Sequence, residues 1–168
     1  MADLQLNRDP DMLDRLEQDL MDKVTAAYAE FPEVSVEVYG VFDLEDMERL
    51  QESSLGNQLA VGVGYLGADR IGDNVTTDRG APAARIMLYT FVILLAVPAT
   101  DVGANRHSAT RLMTIMRNKI LGTKVAGDNT QRTWNIVREK PEISESNRNM
   151  LYYSQVWQVA IPSLGNLA

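Results

Sequence analysis

Residues 86–97, IMLYTFVILLAV, constrain the fold of this chain more than any other stretch. The run is 12 residues long, whereas a helix needs about 20 apolar residues to cross a bilayer. It is rich in β-branched and aromatic side chains, which favour a strand, and its alternate positions are apolar on both sides. A strand with two apolar faces must be covered on both, so residues 84–97 are predicted to be the central strand of a sheet, ended by Pro98. The chain has 168 residues, 45% of them hydrophobic. That is enough for one good core and short for two, so one domain is expected, with an ordered part of about residues 8–162.

The other elements arrange themselves around this strand. Asp9-Pro10 suits a helix start, and Leu13, Leu16, Leu20, Val24 and Ala27 then recur at spacings of three and four, predicting a helix over residues 11–28. Val34, Val36 and Val38 alternate with Ser35 and Glu37 as in a half-buried strand closed by Gly40. A short second helix is expected around Leu44, Met47 and Leu50, capped by Asp43. Leu59, Val61, Val63 and Tyr65 form the next strand; Ala60, Gly62 and Gly64 leave its other face nearly bare, so something must pack closely there. Residues 67–83 lose the alternation and predict a long loop. Leu112, Met113, Met116 and Ile120 mark a third helix, with Ser108 as its cap and Gly122 as its stop. A strand around residues 133–139 and a closing strand over 150–161 complete the order. Leu151, Tyr153, Trp157, Val159 and Ile161 fall on one face of that last strand, and Met150, Tyr152, Val156 and Ala160 on the other. The expected class is α+β: a mixed, largely antiparallel sheet flanked by about three helices.

The inventory for chemistry is poor. With no cysteine, disulfides, thiolate catalysis and cysteine-held metals are ruled out, and His107 is the only histidine. The lack of cysteine fits synthesis in the cytosol, and residues 1–22, acidic and without the basic and apolar regions of a secretory signal, read as mature protein. Gly62-x-Gly64-x-x-Gly67 spells the dinucleotide fingerprint, but it lies within a strand pattern and leads into a polar loop rather than a helix. Asp43, Glu45, Asp46 and Glu48 do not have the spacing of a calcium loop. No catalytic residue, cofactor or metal is therefore expected.

Charge is more informative. The net value of −7 argues against general binding to a nucleic-acid backbone. Residues 1–52 hold 15 acidic and 4 basic residues, a net of −11, so the remainder carries +4. Such a distribution belongs either to acidic surface helices or to opposite patches that meet between subunits of a head-to-tail ring. Candidate interface residues are Asp69, Arg70, Asp73, Asp78 and Arg79 in the long loop, and Arg106, Arg111 and Arg117 in an acid-free stretch that also holds Lys119 and Lys124. Trp134 and Trp157 qualify either as interface anchors or as core.

The amphipathic first helix, the segment NQLAVGVGYLG, the apolar strand RIMLYTFVILLAV, the helix SATRLMTIMRNKILG and the aromatic strand MLYYSQVWQVAI together resemble the bacteriophage tail terminator family. The likeness is to the Mu-like group and, in fold, to the lambda-like one. It implies a structural virion protein at the junction of tail and neck, assembled in the host cytoplasm. Such a protein forms a homohexameric ring on the tail tube protein, stops tube growth and offers a surface to the neck or head-completion protein. Contact with a sheath protein, and passage of DNA without sequence-specific binding, belong to the same picture. An acidic lumen would not retain the DNA. The alternatives are another neck or tail-completion protein, a host-directed inhibitor, and a small-ligand-binding or enzymatic domain built on Arg106, His107 and the acidic cluster.

Overall fold

The apolar run lies where its composition requires, at the middle of a sheet. In the computed structural model, which describes residues 9–33, 35–41, 46, 48–49, 59–71, 85–98, 102–128, 132–142 and 150–163, strands β1 (Val36–Gly40), β2 (Leu59–Ile71), β3 (Arg85–Pro98), β4 (Asn135–Glu142) and β5 (Met150–Ser163) form one sheet in the order β1-β2-β3-β5-β4. β1 runs parallel to β2, and every other pairing is antiparallel. Helices α1 (Met12–Tyr28) and α2 (Val102–Ile120) accompany it. The result is a mixed α+β sheet with β3 central, as the sequence suggests. Among the described residues, no helix is long and apolar enough to cross a membrane.

Alternation along the strands divides the sheet into two faces. Val61 and Val63 of β2, Phe91, Ile93 and Leu95 of β3, and Trp157 and Val159 of β5 join Leu16, Leu20 and Val24 of α1 and Leu112, Met116 and Ile120 of α2 in one continuous core. Each such side chain contributes about 1.5–3 kcal/mol when fully buried. Ala60, Ala96, Met150 and Tyr152 form a smaller cluster on the opposite face, beside Tyr39 and Leu94. The two faces expected of the closing strand are therefore both present.

Three expectations need correcting. Among the described residues two helices flank the sheet, not three. Of the expected second helix only Asp46, Glu48 and Arg49 are described, in helical backbone, and the rest lies outside the described residues. Ser108 does not cap α2, because the helix begins at Val102. No proline interrupts 102–107, so nothing delays the helix until the serine. Third, residue 67 does not open a loop, because β2 continues to Ile71. Tyr65 pairs with Phe91 and Gly67 with Thr90, so Leu66 is an extra residue in a β-bulge. Gly67, at φ 137°, adopts a backbone that other residues rarely take. The bulge shifts the alternation by one position and hides the rest of the strand from a period-2 reading. The remainder of the expected loop, 72–83, lies outside the described residues.

The bare face of β2 has a specific cause at Gly64. After β1 the chain passes so near that a Cβ on Gly64 would lie 2.7 Å from the Val41 carbonyl oxygen. The Val41 amide meanwhile donates to the Val63 carbonyl at 2.7 Å. A backbone oxygen cannot rotate out of the way as a side chain can. Gly64→Ala is expected to destabilise the fold by about 1–3 kcal/mol, read as a lower midpoint in urea; an unchanged midpoint would show that the close approach is not needed.

α2 stops as the sequence predicts. Gly122, at φ 73°, takes the left-handed conformation that ends helices. Its amide donates to the Trp134 carbonyl at 2.8 Å, and the Trp134 amide donates to the Thr123 carbonyl at 3.0 Å. The end of α2 is thereby tied to the segment leading into β4.

Candidate assembly interface

The two tryptophans belong to the core. Both rings are fully buried. Trp134 meets Phe91 edge to face with centroids 5.6 Å apart, and its indole N–H donates to Asp19 Oδ2 at 2.7 Å. Asp19 Oδ1 also accepts from Lys23 Nζ at 2.6 Å and from the Ala126 amide at 3.3 Å. Trp157 Nε1 donates to Gln155 Oε1 at 3.2 Å, while Gln155 Nε2 donates to the Met113 carbonyl at 2.8 Å and to Glu139 Oε2 at 2.7 Å. With their polar atoms satisfied inside the chain, these rings are unavailable to a partner.

The basic helix finds acids within the same molecule. Arg111 pairs with Glu33 and lies 4.6 Å from the centre of the Phe31 ring, Lys119 pairs with Glu30, and Arg117 meets Glu139 at 3.0 Å. Part of the charge asymmetry is thus neutralised internally, where α2 faces the end of α1 and β4. These pairs are exposed, and each is worth at most about 1 kcal/mol. Arg106 lies in α2, and His107 is exposed on it. Asp73, Asp78 and Arg79 lie outside the described residues. Asp69 and Arg70 are exposed on β2 rather than on a loop.

The structure adds an apolar feature at the strand edges that alternation did not reveal. Tyr65, Leu66 and Ile71 of β2, Ile86 of β3 and Val137 of β4 are exposed large hydrophobics. Tyr65 stacks beside Phe91, with ring centres 5.3 Å apart, and beside Tyr89 at 6.5 Å. Ile71 is directly paired with Ile86. The signal for this surface is present in the sequence as apolar residues on a strand continuing past Gly67, and it becomes legible once the bulge is known.

Among the described residues, no group of three or more acids or histidines is placed to hold a metal ion. A cleft of about 220 Å³ between α2 and β4–β5 is lined by Thr110, Met113, Glu139 and Tyr153 among others. Small-molecule sites usually measure about 300–1,000 Å³. Glu139, its carboxylate, is engaged by Arg117 and Gln155.

Comparison with known proteins finds no matching family model and no matching curated protein. Among solved structures, a chain described as "Virion of native gene transfer agent (GTA) particle" is similar to this chain with a TM-score of 0.52 and 11% identity. The match covers 88% of this chain and 94% of that one. Another solved structure aligns at a TM-score of 0.46 and 10% identity, over 90% of this chain and 96% of its own. At 11% identity the likeness to the gene transfer agent chain is one of fold, shared over 88% of this chain and 94% of that one.

Proposed function

We propose that this chain is a structural protein of a phage-like particle, acting as a ring that caps the tail tube, stops its polymerisation and joins the tail to the neck. The observation that carries this reading is the fold shared, almost end to end, with a chain of a gene transfer agent virion. The sequence resemblance to tail terminators points the same way. In this reading the chain is not an enzyme, and it needs no cofactor. Its partners are further copies of itself, with six to a ring, the tube protein, the neck or head-completion protein and, in a contractile tail, the sheath.

The capping role has a direct test. Purified protein is added to polymerising tube subunits from the same particle, and tube lengths are measured by negative-stain imaging. A cap predicts shorter tubes with a ring of extra density at one end. Tubes of unchanged length and bare ends would contradict it, and binding to the portal-side proteins instead would favour a different neck ring.

A further inference from the structure

We propose that the outer edge of β2, over residues 65–71, pairs antiparallel with β4 of a second copy, so that the sheet runs on from one subunit into the next. This rests on the reading that the chain assembles with copies of itself.

Among the described residues the two edges are open and similar in length. β1 lies against β2 only from Leu59 to Val63, and Val41 then makes the last backbone contact, to Val63. Val41 still lies against Gly64, so seven of the 13 residues of β2, 65–71, extend beyond that cover, and among the described residues no strand lies outside them. β4 is eight residues long and pairs only with β5. An unpaired edge presents main-chain donors and acceptors that can add a further strand.

Direction and face agree as well. β3 runs opposite to β2, β5 opposite to β3, and β4 opposite to β5. β4 is therefore antiparallel to β2, and a copy set beside the first by rotation in the sheet brings β4 against β2 in antiparallel order with like faces aligned. Such a contact joins different surfaces of the two subunits and closes into a ring when the rotation closes.

Lys140 and Pro141 guard the far end of β4, and Pro141 has no amide to donate, so the pairing rests on residues 135–140 and on the charges beside them. Asp69 is registered with Leu88. Arg138 is registered with Val156, which pairs with Val92. Both therefore lie on the sheet face that carries Leu94 and Ala96, away from the helices. Both are exposed, and neither forms an ion pair among the described residues. Across the proposed seam they are opposite charges on one face. Each edge also carries a bulge, and the extra residues are Leu66, 59% exposed, and Val137, 56% exposed. Bulges commonly guard an edge, yet here the bulge residues themselves are exposed and apolar, and a second copy at the seam would cover them.

The absence of cysteine makes the test clean. Asp69→Cys and Arg138→Cys proteins are mixed and treated with a short bismaleimide, and the mass of the assemblies is followed by light scattering. The edge pairing predicts cross-linked dimers in the mixture but not in either protein alone, and a ladder of covalent oligomers in the double variant. Asp69→Lys and Arg138→Glu are each expected to weaken association roughly tenfold, and the double swap to restore it. Assemblies of normal mass without cross-links, or cross-linking of Asp69→Cys to itself, would overturn the edge pairing while leaving self-assembly standing. A wild-type protein that forms no assemblies alone or on tubes would remove the reading beneath it, and the pairing with it.

Discussion

Asp19→Ala is expected to lower stability by about 3 kcal/mol, read as a fall in the urea midpoint with the slope unchanged. The carboxylate is 5% exposed and has three donors around it: the Trp134 indole, Lys23 and the Ala126 amide. Removing it leaves the indole N–H buried without a partner and Lys23 without its counter-charge. Asp19→Asn, which keeps one carbonyl oxygen, should lose less than the alanine variant. The network joins α1 to the strand region 115 residues further along the chain, so the loss should be global rather than confined to a frayed helix. A change below about 0.5 kcal/mol, the usual range for surface substitutions, would show that this carboxylate does not hold the two parts together.

Glu17, two residues earlier, is expected to behave in the opposite way. It is 5% exposed on α1. Burial first, and then the charges of Asp14 and Asp46, push its carboxyl from an ordinary 4.5 up to about 7. The folded state thus holds this proton more tightly than the unfolded chain does. The stability linked to it is fully present below about pH 4.5 and is lost as pH rises through about 7. Glu17→Gln is neutral at every pH, so it should match the natural protein near pH 4.5 and exceed it at pH 8 by about 2–3 kcal/mol, the lower figure allowing for solvent screening. Urea midpoints of the two proteins at both pH values check this. An advantage that does not grow with pH would mean that Glu17 is not desolvated in the folded chain.

The same pair of residues shows where the sequence stops being legible. The stripe Leu16, Leu20, Val24 and Ala27 is buried as its spacing indicates. Leu13, one turn earlier, is exposed, while Glu17 and Asp19, which flank the stripe, are buried. Helical periodicity locates a face but not its width. On the Asp19 side that width is set by Trp134, which arrives from a distant segment and brings a donor for the carboxylate. β3 and the alternating faces of β5 are legible because long apolar strands admit few other arrangements. β2 is legible only as far as Tyr65, because one extra residue at Leu66 inverts the pattern beyond it. Trp134 and Trp157 are ambiguous in the sequence because an indole suits a core and an interface equally well. Their hydrogen bonds to Asp19 and Gln155 decide the matter. That β1 pairs with only the first five residues of β2 is a property of topology among the described residues, and no local pattern records it.

The measurement that tests the central claim most directly is the mass of the purified protein in solution, by light scattering joined to negative-stain imaging, with and without the tube protein. A ring-forming structural protein of a phage-like particle predicts closed rings, free or seated on tube ends, with a mass that is an integral multiple of 18.7 kDa. A monomer under both conditions, with no rings in the images, would contradict the account.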